Sequence, residues 1–274
     1  NQRVVAVGHT KGSINFGGGS LTHVGAQDAV MAAFDLSSGT FVANELWGNN
    51  GNEIASAVAI DGSSGDALAV GSFSSSKVNF GGSEVDNSIV LTTEAFALRY
   101  SFAKAAVKWA RRACSTPGHS AAKAVTLAQG KVFIAGTHAS SMLANPDMLL
   151  SRLGGDGDEP WQGIYGSVSA DAAEALATDP VSHDVYVAGH SKGKLVLGSV
   201  TLPAGAQRYG FVVSLSSKTS MPSFIHGYRT QGVLALDSQE LYSIAVDDKR
   251  RPVACGRLNG GLTLSTSPQK TLTV

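Results

Sequence analysis

One pattern recurs down this chain and limits what it can fold into. An apolar run closed by Asp, a Gly/Ser turn and a second apolar run closed by Gly stand together in ASAVAIDGSSGDALAVGSF, Ala55 to Phe73. The second run returns as VVAVGHT from Val4, ALAVGSF from Ala67, KVFIAGT from Lys131, VYVAGHS from Val185 and PVACGRL from Pro252. Its glycines, Gly8, Gly71, Gly136, Gly189 and Gly256, lie 63, 65, 53 and 67 residues apart. The first run appears four times, as ASAVAID, AKAVTLA from Ala122, AEALATD from Ala173 and LYSIAVD from Leu241. The copy that would precede Asn1 is missing. Self-similarity at a roughly constant period is the signature of a repeat architecture.

Each glycine is followed, after a variable insert, by a third run: DAVMAAFD from Asp28, EAFALRY from Glu94, DMLLSRL from Asp147 and YGFVVSL from Tyr209. A fourth run follows, in which Trp109, Trp161 and Phe224 fall 15, 14 and 15 residues after Glu94, Asp147 and Tyr209. That agreement predicts one recurring packing slot. Short runs rich in Val, Ile, Leu and Phe, bounded by Gly, Ser, Asp and Pro, are strand signals. Glu94 to Cys114 alone resembles a basic amphipathic helix, but its copies carry LSSG and GGDGDEP at the corresponding place, and those are turns.

Four strands per period make a β-propeller blade. The expected fold is therefore all-β, a propeller of four-stranded antiparallel blades, with four to five blades in residues 1–274. The blades read as 1–52 (partial), 53–117, 118–168, 169–230 and 231–274 (partial). Val4, Val5, Ala6 and Val7 are apolar in succession, which predicts burial on both faces. Both ends fall inside a unit, which points to a fragment of a longer chain.

The 32 glycines exceed the ordinary share of about 7%, as expected where tight turns join short strands. A net charge of zero, with 15% charged residues, argues against a nucleic-acid partner, which needs a clustered basic face. It also argues against a polybasic membrane anchor, and no apolar run is long enough to span a membrane. Cys114 and Cys255 fall in different strands of different units and match neither a disulfide framework nor a zinc spacing. They are expected to be buried thiols.

The segments INFGGGSLTHVGAQDAVMAAFDLSSG, Ile14 to Gly39, and VNFGGSEV, Val78 to Val85, resemble the SBBP-type β-propeller repeats of bacterial secreted and surface proteins. The matches are Asn15 to Gly18, Asn79 to Gly82, Asp28, Trp109, Trp161 and the turn after Ile60. The resemblance implies a propeller and an extracellular or cell-surface location. It implies no catalytic residues, and the unit from Ser120 to Gly166 lacks the NFGG turn.

GHSKG, Gly189 to Gly193, fits the nucleophile-elbow pattern, yet a strand-like run follows it and GHTKG occupies the same register at Gly8 to Gly12. Ser191 is thus read as framework. His9 and His190 share a register with His138 one residue on, and turn bonding accounts for them better than a metal. Asp61, Asp179 and Asp247 end the first strand of their units. Carboxylates there could bind Ca²⁺ or work as an acid/base pair, although Asp before Gly or Pro is also a common turn starter. Asp156 and Asp158 read as a solvated hairpin tip. Trp47, Trp161 and Tyr165 are the rings able to stack on a sugar.

No convergent reactive set appears. The expected function is a non-catalytic extracellular scaffold or adhesion module meeting other proteins, or copies of itself, through its loops. The alternatives are a carbohydrate-binding propeller and a glycan-cleaving one. No cofactor is expected.

Overall fold

A computed structural model describes residues 2–87, 89, 91–158, 160–205, 207–218, 223–232, 238–259 and 262–265. Its regular elements are all strands, in antiparallel sheets, and no helix occurs among the described residues. The chain divides into two compact units, Asn1–Val125 with Gly155–Glu159, and Thr126–Gly154 with Pro160–Val274.

The first unit opens with β1 (Arg3–Thr10), the short hairpin β2 (Ile14–Asn15) and β3 (Ser20–Leu21), then β4 (Asp28–Asp35) and β5 (Phe41–Trp47). These give a three-stranded sheet in the order β1-β4-β5. The next repeat is β6 (Glu53–Ile60), β7 (Ala67–Phe73), the hairpin β8 (Lys77–Phe80) and β9 (Ser83–Asp86), β10 (Glu94–Ser101) and β11 (Ala106–Arg112). Its sheet runs β6-β7-β10-β11. Between the two sheets lies a core of Met31, Trp47, Phe73, Phe80, Phe96, Leu98 and Tyr100. Phe80, delivered by the β8–β9 hairpin, sits 4.7 Å from the Phe96 ring and 6.1 Å from Trp47. The variable insert thus acts as a plug for the core beside it.

Glu94 to Cys114 forms two strands, β10 and β11, joined by a turn over 102–105 in which Ala105 has φ 48°. Every residue of β10 is buried, which is why the stretch lacks an amphipathic strand's alternation.

The division between units falls inside β12 (His119–Ala128). The second unit continues with β13 (Lys131–Ala139), β14 (Asp147–Leu153) and β15 (Trp161–Tyr165). β12 turns into β13 through Gln129 and Gly130, both at positive φ (51° and 73°), the requirement of a two-residue type I′ hairpin. Then come β16 (Ala172–Thr178), β17 (Val185–Ser191), the hairpin β18 (Leu195–Leu197) and β19 (Val200–Leu202), β20 (Tyr209–Ser216) and β21 (Ser223–Gly232). β22 (Ser238–Val246) pairs with β23 (Pro252–Asn259), while β24 (Leu262–Ser265) joins the edge of β21. β16 packs against β13 and β14, and β22 packs against β16 and β17.

The marker glycines have a steric cause. The first strand of a repeat carries a β-bulge, at Ser56 in β6, Glu174 in β16 and Tyr242 in β22. The bulge turns the preceding carbonyl toward the second strand. A Cβ on Gly71 would fall far inside 3.0 Å of the Ile54 carbonyl oxygen, and one on Gly189 or Gly256 would strike Ala172 or Glu240 in the same way. Gly8 has nothing within 4 Å of that position, because no bulged strand pairs with β1 among the described residues. Val4 is 48% exposed, so the expected burial on both faces fails for β1 while it holds for β10.

Candidate functional site

Four hairpins, those that follow β4, β6, β16 and β22, share one design. Asp61 accepts hydrogen bonds from the Ser63 amide (2.9 Å) and hydroxyl (2.6 Å); Asp179 accepts from the Val181 and Ser182 amides (2.8 and 3.0 Å). Asp247 accepts from the Lys249 and Arg251 amides (3.0 and 2.7 Å), and Asp35 repeats the pattern with Ser37 and Ser38. A residue in the left-handed region closes each loop: Gly39, Gly65, His183 (φ 63°) and Arg250 (φ 65°).

Three of these carboxylates also carry an arginine. Asp61 is paired with Arg99, whose Nε reaches buried Asp66 at 2.7 Å and whose Nη1 donates to the Gly155 carbonyl at 2.8 Å. Asp179, 1% exposed, accepts from Arg250 Nε at 3.0 Å, and Asp247 from Arg251 at 2.7 Å. Burial pushes the Asp179 carboxyl up, but the two amides and Arg250 outweigh it and hold it at about 2. Burial also opposes ionisation of Asp61, and Ser63, Arg99 and Ser64 together depress it. For Asp61, Asp179 and Asp247 the turn-forming alternative fits these bonds better than a metal or acid/base set. Each lies in its own loop with its lone pairs occupied, which makes these residues turn formers held ionised. No group of three or more His, Cys, Asp or Glu suited to a metal occurs among the described residues.

Trp47 is 2% exposed in the first unit's core, so it cannot stack on a sugar. Trp161 and Tyr165 are half-buried, and the Tyr165 ring meets Phe224 edge-on at 5.2 Å. The predicted slot is real at Trp109 and Trp161, which stand opposite Arg99 and Arg152 on the neighbouring strand. Trp109 donates its indole N–H to the Gly155 carbonyl at 3.1 Å and packs against Gly157. Ser191 is fully buried and donates to the Gly193 carbonyl at 3.3 Å, the framework role expected of it. Asp156 and Asp158 are exposed at a hairpin tip. Both cysteines are free: Cys114 is buried, but Cys255 is exposed on β23, against expectation, because β23 has β22 as its only strand neighbour among the described residues.

The second unit holds an arrangement the sequence reading had not assembled. The bulge on β16 aims Glu174 at His190 of β17, with Glu174 Oε1 3.7 Å from His190 Nδ1. The bulge on β22 presents Tyr242, whose ring stands edge-on to His190 at 6.5 Å between centroids. The Tyr242 hydroxyl donates to Glu240, and Glu240 in turn accepts from Arg208. Arg208, Glu240 and Tyr242 are thus linked by hydrogen bonds, the Tyr242 ring lies against His190, and Glu174 faces the imidazole, so the five side chains meet across two successive repeats. His190 and Glu174 are almost covered, whereas Tyr242 is 45% exposed, so the array opens to solvent through the phenol. Chemically it is a histidine flanked by a carboxylate and walled by an aromatic ring, the equipment of general acid–base catalysis. A sign of it in the sequence was the register: His190 holds the place taken by Ser72 in a sister copy, and Glu174 that of Ser56.

Comparison with known proteins gives little outside the chain itself. No family model matches it, and no curated protein sequence matches. Among solved structures, it is similar to the Pseudomonas aeruginosa periplasmic gluconolactonase PpgL, with a TM-score of 0.38 and 9% identity over 99% of this chain and 82% of that one. That protein is named as an enzyme, against the expectation of a non-catalytic scaffold or adhesion module, which is withdrawn. At that score no residue of the gluconolactonase maps onto a site here.

Proposed function

We propose that the second unit is a hydrolytic site working by general acid–base catalysis on an ester-like carbonyl. The observation that carries this reading is the placement of His190 between the Glu174 carboxylate and the exposed Tyr242. With Nδ1 turned toward Glu174, Nε2 is the ring nitrogen that takes a proton from water as the water oxygen bonds to the carbonyl carbon. Glu174 then stabilises the imidazolium, and the proton passes to the departing alkoxide as the C–O bond breaks, giving acid and alcohol. No covalent nucleophile is required, which accords with the burial of Ser191. The same reading makes the repeats propeller blades of the SBBP-type family in an extracytoplasmic protein; the two NFGG turns, at Asn15 to Gly18 and Asn79 to Gly82, support that kinship.

The test is hydrolysis of nitrophenyl esters of graded acyl length. Wild-type protein is expected to release nitrophenol above the buffer rate, and His190→Gln to lower kcat/KM by a factor on the order of 10² to 10⁴. Glu174→Gln, which removes the charge facing the imidazole, should lower kcat/KM as well. Equal rates in wild type and His190→Gln, or no ester turned over, would sink the proposal.

A further inference from the structure

A second site lies in the first unit, independent of the array above. A groove of about 390 Å³ is lined by Arg3, Val5, Leu36, Ile60, Gly65 and Phe102, with Gln2 at its rim. Its size is at the lower end of ordinary small-ligand sites, roughly 300–1,000 Å³. Leu36 and Ile60 are 54% and 45% exposed, so apolar surface faces water on both sides of it. The rim is fixed rather than loose: the Leu36 amide bonds to the Gln2 carbonyl at 3.0 Å, and Phe102 packs edge-on to Tyr100 at 5.1 Å.

Arg3 gives this groove its sign. Its guanidinium stands 4.8 Å from the centre of the Phe102 ring. Its Nε is shielded from water without a hydrogen-bond partner, and no carboxylate pairs with it among the described residues. The acid opposite it in the β1–β4 register is Asp35, whose Oδ1 accepts from Ser37 and Ser38 and which forms no ion pair with Arg3 among the described residues. Asp61, near the other wall, is occupied by Arg99 and Ser63. A cation on an aromatic face, beside exposed aliphatic side chains and without an ion pair of its own among the described residues, is complementary to an anionic head on an apolar chain.

We propose that this groove binds a free medium-chain alkyl carboxylate, its head on Arg3 and its chain along Val5, Leu36, Ile60 and Phe102. Titration calorimetry with octanoate on the whole chain tests this. Saturable binding is expected, at least about tenfold weaker for octanol, which lacks the charge, and for Arg3→Gln. Leu36→Asp, at an exposed position where folding is not at stake, should abolish binding; circular dichroism confirms that both variants fold. The proposal is overturned if octanoate does not bind, if octanol binds as well, or if Arg3→Gln binds like wild type. Sedimentation with phosphatidylglycerol vesicles in the absence of octanoate binding would reassign the patch to a membrane surface and equally overturn it.

Discussion

Replacing the marker glycines by alanine separates a steric cause from a conformational one. Gly71 and Gly8 occupy the same repeat position, and neither needs positive φ. At Gly71 a methyl would lie 2.9 Å from Ala55 Cα and from the Ile54 carbonyl carbon, and closer still to the oxygen. Relief requires the bulged strand to withdraw by about 1 Å, which breaks its pairing with β7 over Ala55–Ala57. Overpacking costs about 1–3 kcal/mol even where side chains can adjust, and here the obstacle is backbone. Alanine's advantage over glycine in a strand returns only about 0.5–1 kcal/mol. Gly71→Ala should therefore destabilise by about 3 kcal/mol or more, with Gly189→Ala alike, since its methyl would also meet Phe211 at 2.8 Å. Gly8→Ala meets nothing and should be neutral or stabilising by up to about 1 kcal/mol. Urea unfolding followed by tryptophan fluorescence and circular dichroism measures all three. Similar losses at Gly8 and Gly71 would refute the argument, because the glycine would then be needed for something other than the bulge.

Three further outcomes follow from the same structure. His183 closes its hairpin at φ 63°, a conformation disfavoured for a side chain by roughly 1–2 kcal/mol, so His183→Gly should raise thermal stability slightly, whereas Gly65→His should lower it. Arg99→Met removes the partner of Asp61 and Asp66 and the donor to Gly155, while Lys108 stays 2.7 Å from Asp66; a loss of about 3 kcal/mol by urea unfolding is expected, and none would show the network to be idle. Asp179 is held at about 2 in the folded state against an ordinary value of 3.8. Its contribution is thus complete above roughly pH 4 and lost as pH falls toward 2, because the unfolded chain takes up its proton first. Asp179→Asn, which keeps a turn acceptor, should weaken the fall of the unfolding midpoint in that window, and an unchanged slope would contradict the assignment.

What could be read from the sequence is what the backbone itself demands. The period, the strands and the turns were legible because bulges demand glycine, hairpins demand an Asx acceptor, and doubly buried strands such as β10 demand unbroken apolar runs. The fate of individual polar groups was not legible. Asp61, Asp179 and Asp247 look like a set in the alignment of copies, yet the arginines that neutralise them, Arg99, Arg250 and Arg251, stand at no common register. Trp47 looked available because the sequence does not say that Phe80, 33 residues on, folds back over it.

The array around His190 was hidden for a related reason, and that reason points to where chemistry can reside in such a chain. A bulged residue is excused from the ladder: it pairs with no residue opposite, and its side chain leaves the regular alternation. The framework therefore specifies the glycine across from the bulge and leaves the bulged residue itself unspecified. Ser56, Glu174 and Tyr242 occupy that position in three repeats and have nothing chemical in common. Where two consecutive repeats place a carboxylate and a phenol there, with a histidine on the adjoining strand, three titratable side chains meet at the seam between repeats without altering either repeat's fold. Comparing copies for sameness finds the scaffold, whereas a site of this kind lies at the one position where the copies are free to differ.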